Sequence, residues 1–254
     1  MKFNYQIIIE YLGKNFVGWQ IQKKGKSIQG LIQSAVSKTL KKKIKLIGSG
    51  RTDAGVNAIG QSANFFCENE IKNSFKFLSS VNFFLRKYQI SVIDLKKKNT
   101  FFHARHSAKK RRYEYVIINR FGKLSLNQDR SWLVKNKLNI KKMKKGIRYF
   151  VGKHDFTALR SSSCSAKSPN RTITHASVNS INDKITFRFE SESFLQKQVR
   201  SMVGCLKYVG ENKWKPEKIK KVIRSKKRNE CAPPAPAEGL FLMADYFQQK
   251  LRSI

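Results

Sequence analysis

The sequence predicts an α+β protein of two similar domains, each with a mainly antiparallel sheet flanked by helices. Three observations carry that expectation. A β-branched and aromatic run at residues 5–11 is answered by a second of the same type at 113–118. Each run is followed by stretches whose apolar residues recur at three-and-four spacing, the signature of amphipathic helices. And 254 residues with 40% apolar and 11% aromatic side chains supply enough material for one large core or two smaller ones.

In chain order, residues 5–11 read as a strand and 13–25 as a loop holding Trp19. Ser27 is placed to cap a helix, because its hydroxyl can take a free N–H of the first turn. Ile28, Leu31, Ile32, Ala35, Val36 and Leu40 then fall on one helical face. Residues 44–47 and 61–67 read as strands. Residues 71–85 read as a helix with Phe75, Leu78, Val81 and Leu85 on its apolar side. Residues 89–95 close the first half as a strand.

The pattern restarts near residues 104–111, which divides the chain into an N-terminal domain, 1–104, and a C-terminal domain, 105–254. Residues 113–118 are a strand and 140–150 a helix with Met143 and Ile147 inward. Residues 176–181 and 184–190 flank Asn182-Asp183, a two-residue hairpin turn. Leu195, Val199, Met202, Val203, Leu206 and Val209 mark a strong amphipathic helix. Pro216 fits the first turn of a short helix ending near Ser225, and 240–247 read as a closing strand. Sheets packed side by side would leave a cleft between the domains, the natural place for RNA.

Charge points to a polyanion. Lys and Arg number 53 against 16 Asp and Glu, a formal net charge of +37. The clusters at 41–43, 96–98, 109–112, 141–145 and 226–228 are spread along the chain rather than gathered in a tail. Such a field favours nucleic acid. The joint richness in Lys, Asn, Ile and Phe also fits a drift toward AT-rich codons, in which case much of the excess is solvated surface. The four cysteines, Cys67, Cys164, Cys205 and Cys231, form no CxxC pair, so zinc and thioredoxin chemistry have little support. They read as thiols in a reducing cytosol. No signal-like N-terminus and no membrane-length apolar run is evident, and the chain reads as cytoplasmic.

Against that basic background stands Gly48-Ser49-Gly50-Arg51-Thr52-Asp53-Ala54-Gly55-Val56. It holds a carboxylate where a polyanion would lie. An acid contributes little to binding RNA, so its presence suggests chemistry on the nucleic acid. Its glycines allow backbone angles closed to other residues and let a ligand approach the main chain, and Arg51 is near enough to pair with Asp53. The bland alternative is an ordinary turn, since Thr-Asp-Ala-Gly is good turn chemistry by itself. No Gly-Lys-Ser/Thr follows, so the segment is not a P-loop.

Gly50-Arg51-Thr52-Asp53-Ala54-Gly55-Val56 resembles the catalytic signature of the bacterial tRNA pseudouridine synthase A family. The resemblance extends through Gly18-Trp19-Gln20-Ile21-Gln22, Ser27-Ile28-Gln29, Phe102-His103-Ala104-Arg105 and Arg111-Arg112-Tyr113-Glu114-Tyr115. It continues through Gly152-Lys153-His154-Asp155-Phe156-Thr157, Phe194-Leu195 with Val199-Arg200, and Ala235-Pro236-Ala237-Glu238-Gly239-Leu240. It covers nearly the whole chain in order. It implies an isomerase that turns uridine into pseudouridine at positions 38, 39 and 40 of the tRNA anticodon stem-loop, with no cofactor and no metal, acting as a homodimer with one tRNA across both subunits. It assigns catalysis to Asp53, Tyr113 and Arg200, and substrate binding to Arg51, Thr52 and Leu240.

In that assignment Asp53 acts at the sugar, Arg51 helps flip the nucleotide, and Arg200 flanks the acid. Tyr113 stacks on the uracil and relays a proton, and Leu240 walls the pocket. Taken singly, each has a plainer reading: a surface or phosphate-contacting Arg, a core aromatic on a strand. Two departures bear on the fit of RNA. Asn57 stands where the family often has His, and Gln196-Lys197-Gln198 replaces a His-rich stretch. His103 and His106, three apart, are too few for a metal site and read as RNA-facing or structural. The rival from another class is a non-catalytic basic RNA-binding protein or tRNA chaperone. A third reading is a degenerate synthase that binds tRNA after losing activity.

Overall fold

The computed structural model describes residues 2–243. The chain divides into two compact units, Met1–Lys110 with the segment from Leu242, and Arg111–Phe241. Both mix helices with mainly antiparallel strands, as expected for the α+β class.

The first unit is built on β1 (Phe3–Tyr11), α1 (Ile28–Leu40), β2 (Ile47–Gly48), β3 (Asn57–Cys67), α2 (Ser74–Leu85) and β4 (Ile90–Lys98). β1 lies between β4 and β3, antiparallel to both, and β2 adds to β3. Tyr5, Ile7, Ile9 and Tyr11 alternate along β1 and are all buried, as period two requires of one sheet face. They share a core with Phe65, Ile32, Val36, Phe77, Val81 and Leu85. Tyr5, Phe65 and Phe77 stack in sequence with ring centroids 5.9 Å apart at each step. On the other β1 face Asn4 and Gln6 are buried and polar. Gln6 donates to Ser62 Oγ at 2.9 Å, and Asn64 Nδ2 to Asn4 Oδ1 at 3.0 Å. Asn64 Oδ1 in turn accepts from the Ala104 N–H at 2.9 Å. Each amide thus meets a partner inside the unit, as buried polar groups must.

Three details in this unit differ from the sequence expectation. Residues 44–46 are not a strand: Ile44 and Leu46 are buried, but their N–H groups bond to the Ser37 hydroxyl and Gln33 carbonyl oxygens at 3.0 Å each. α2 starts at Ser74, because the Asn73 side chain accepts from Lys76 N at 2.8 Å and caps it there. And Phe75 is 81% exposed; the inward face is Phe77, Val81 and Leu85.

The second unit holds β5 (Arg111–Asn119), β6 (Trp132–Val134), α3 (Ile140–Ile147), β7 (Gly152–Asp155), β8 (Asn170–Ile181), β9 (Lys184–Ser191), α4 (Gln198–Gly210), α5 (Lys218–Ser225) and all but the last residue of β10 (Leu240–Leu242). The strands run in the order β10-β5-β9-β8-β7, with β6 parallel to β5 at one end. β8 and β9 form the expected hairpin, and Asn182 takes the left-handed conformation (φ 54°) that its turn needs. α4 is the centre of this core: Val199, Met202, Val203, Cys205, Leu206 and Val209 are all buried. It begins at Gln198 rather than at Leu195, with Lys197 left-handed before it and the Gln198 side chain accepting from Leu195 N at 2.8 Å. Of the closing strand expected over 240–247, Leu240–Leu242 is present, and residues from 244 onward lie outside the described residues. Among the described residues no helix is long and apolar enough to cross a membrane.

Candidate active site

The acid-bearing loop joins β2 to β3 in the first unit. Its ends are tied down on β3: Ser49 N donates to Ser62 O at 2.8 Å, Ser49 Oγ to Gln61 Oε1 at 2.9 Å, and Gln61 Nε2 to Gly50 O at 2.9 Å. Asp53 O accepts from Val56 N at 3.2 Å and closes a tight turn. The expected turn is therefore real, and it is also what holds the acid in place. Asp53 is half-buried, Arg51 exposed and Thr52 buried.

The loop's middle is gripped by a distant segment. Trp19 N donates to Thr52 O at 3.1 Å, and the hydroxyls of Tyr11 and Thr52 meet at 2.8 Å. Gly18 has φ +105°, and a Cβ there would lie 2.7 Å from Thr52 O; only glycine permits both the angle and the approach. Asn57, buried, accepts from Gly13 N at 2.7 Å through Oδ1. That side chain serves the loop's own scaffold, which is what its departure from the family pattern touches. The sequence reading did not single out Tyr11 or Gly13 for the site. Their link to the loop spans some forty residues and leaves no local signal.

The other expected residues lie in the second unit. Tyr113, on β5, is 8% exposed, with its ring edge-on to Phe194 at 5.2 Å and 90°. Tyr115 lies on the same strand face and is wholly buried, its hydroxyl donating to Pro236 O at 2.9 Å. Burial pushes the Tyr115 phenol well up, the Glu238 charge adds to this, and Arg200 acts against it. Arg200 is half-buried on α4, its Nε donating to Ala235 O at 2.6 Å while Ala235 N donates to Arg200 O at 2.9 Å. One turn further along α4, a Cβ on Gly204 would collide with the Pro233 carbonyl oxygen. Close packing thus accounts for that glycine. The 233–240 segment is fastened to α4 and β5 together, and it delivers Leu240, buried, with its N–H on Ala237 O at 3.0 Å.

Gln198 also proves to be scaffold, while Gln196 is exposed. Gln196 O accepts from Ser161 N at 3.0 Å, and Gln198 is wholly buried. The rings of His103 and His106 lie 4.4 Å apart. Among the described residues no group of three or more His, Cys, Asp or Glu could hold a metal ion.

A carboxylate held in a glycine-framed turn, on a strongly basic α+β protein, fits an enzyme that acts on nucleic acid. A family model described as tRNA pseudouridine synthase matches residues 7–106 and 147–248. The chain belongs to the tRNA pseudouridine synthase family and is an isomerase. It is 58% identical over 240 residues to the tRNA pseudouridine synthase A of Pelagibacter ubique (strain HTCC1062), covering 94% of this chain and 98% of that one. It is 39% identical to the proteins of that name from Parvibaculum lavamentivorans (strain DS-1 / DSM 13023 / NCIMB 13966) and Ehrlichia chaffeensis (strain ATCC CRL-10679 / Arkansas). Each match spans 95% of this chain, with 98% and 99% of those chains.

Proposed function

We propose that this protein converts uridine to pseudouridine at positions 38, 39 and 40 of the tRNA anticodon stem-loop. The observation that carries the reading is the Asp53 turn, held from both sides by main-chain and buried side-chain bonds, in a chain whose relatives bear the name tRNA pseudouridine synthase A. The reaction breaks the N1–C1′ bond, turns the uracil and joins C5 to C1′. Nothing is oxidised and no outside group is transferred, so the chemistry asks for an acid–base group at the sugar and no cofactor.

Asp53 is that group. As a nucleophile it attacks C1′; as a base it removes the C2′ proton to give a glycal. Both routes need the carboxylate fixed in place, which the Thr52 and Asp53 backbone bonds provide. Arg51, exposed beside it, holds the phosphate or the gap left by the flipped nucleotide; flipping costs a few kcal/mol, least at a loop or stem end. Thr52 contributes through the loop, since its hydroxyl is engaged by Tyr11. In this reading the C-terminal domain completes the site. Tyr113 stacks on the uracil and relays the C5 proton, Arg200 flanks the acid, and Leu240 walls the base. The working form is a homodimer that binds one tRNA.

The test is tritium release from tRNA transcripts carrying 5-tritiated uridine, run with wild type and Asp53→Asn. Wild type should release label only from transcripts with uridine at 38, 39 or 40. Asp53→Asn should release none while binding tRNA within a few-fold of wild type. A variant that keeps most of its rate removes Asp53 from the chemistry. Tight binding with no release by either protein favours the non-catalytic RNA-binding reading.

A further inference from the structure

Cys205 and Cys231 are 26 positions apart in sequence, yet their sulfurs meet at 3.5 Å, and both thiols are free. We infer that they form a site of reversible oxidation, at which a hydroperoxide converts the pair to a disulfide that staples the segment after Cys231 to α4.

The two thiols are unequal in a way that orders the steps. Cys205 is wholly buried in the middle of α4; Cys231 is half-buried at the end of a 3-10 turn, Arg228–Glu230. A reagent from solvent therefore reaches Cys231 first. The hydrogen bond with Cys205, helped by the Arg228 guanidinium, outweighs burial and holds the Cys231 thiol below its ordinary range. The same bond and burial push Cys205 well up. Arg228 is itself fixed, donating to Ser201 Oγ at 3.0 Å and Ala158 O at 3.2 Å. A low-pKa thiol beside a second sulfur is the arrangement of an attacking and a resolving cysteine.

The steps balance. The Cys231 thiolate attacks the distal peroxide oxygen, the O–O bond breaks, and alkoxide or hydroxide leaves, giving Cys231–SOH. The Cys205 sulfur then attacks the Cys231 sulfur, the S–O bond breaks, and the hydroxyl departs with the Cys205 proton as water. The two sulfurs lose two electrons to the peroxide. Closing the bond requires an approach of about 1.5 Å, since a disulfide is about 2.0 Å long.

The link falls at the root of a segment already engaged with the candidate site. Past Cys231, Pro233 presses on Gly204, Ala235 pairs with Arg200, and Pro236 takes the Tyr115 hydroxyl. Fastening Cys231 to α4 fixes that segment at its start.

The full-length protein is treated with hydrogen peroxide, alkylated under denaturing conditions and mapped as peptides without reductant. One cross-linked peptide pair joining 205 and 231 should appear, and dithiothreitol should restore both alkylation sites. The oxidised form should melt at a higher temperature. Cys205→Ser should show no cross-link and no such rise, with Cys231 passing to sulfinic acid instead. Two outcomes in wild type would overturn the site: Cys231 over-oxidised without a cross-link, or both thiols still alkylated after Cys164 has reacted. A cross-link with unchanged melting would overturn the staple.

Discussion

Tyr113 carries a prediction that separates stacking from proton transfer. Its ring already has an edge-on neighbour in Phe194, so removing the hydroxyl leaves packing intact. Tyr113→Phe should therefore lower kcat at least tenfold with a change in tRNA Kd of less than about threefold, a split that marks loss of a transition-state role. Equal losses in turnover and binding would make the ring a binding platform only. At this scale the sequence announced the turn at Asp53 and was silent about what holds it. Glycines around an acid announce a turn. That Tyr11, Gly13 and Trp19 grip the turn follows only from the pairing of β1 with β3, a contact between residues far apart in the chain. Asn57 shows the same limit: its replacement of histidine is visible in the sequence, its bond to Gly13 N is not.

The end of α4 makes a prediction about an element. Glu211 caps that helix, where a negative charge opposes the helix dipole. Lys207 at 2.6 Å and Lys213 at 3.0 Å offset it. Burial raises the Glu211 carboxyl, but bonds to these two lysines outweigh it and hold the group below its ordinary value of 4.5. The folded state thus binds the proton less readily than the unfolded one. Its contribution to stability is complete above about pH 4.5 and is lost as pH falls through the lower, folded value. Glu211→Gln should destabilise the protein in urea at neutral pH, and the gap from wild type should narrow at about pH 3. A gap independent of pH would mean that shape, not charge, is what Glu211 supplies. Elements themselves were legible where apolar spacing and caps agreed, as in α1 with Ser27, whose hydroxyl accepts from Gly30 N at 3.2 Å. They misled where burial came without regular backbone bonding, as at Ile44 and Leu46. The inward face of α2 was legible at Val81 and Leu85 and wrong at Phe75, which lies exposed in the first turn while Phe77 is buried.

For the whole molecule, the positive charges divide by element, and α3 gathers a solvent-facing group of them. α3 presents Lys141, Lys144 and Lys145 to solvent, while Met143, Gly146 and Ile147 face inward. Replacing these three lysines with glutamine should reduce the slope of log tRNA affinity against log salt by roughly one for each that touches phosphate. An unchanged slope would identify them as solvated surface, and the compositional reading of the lysine excess would gain that ground.

Four of the fastenings on the two candidate site segments share one property. Thr52 O, Gly50 O, Ala235 O and Pro236 O are all peptide carbonyls. A carbonyl oxygen is present whatever amino acid stands at its position. Codon usage can therefore rewrite much of the outer vocabulary of this protein, filling it with lysine and asparagine, while the accepting halves of these four clasps stay indifferent to the change. What cannot be rewritten is the empty space: at Gly18 and Gly204 the missing methyl group is itself the message.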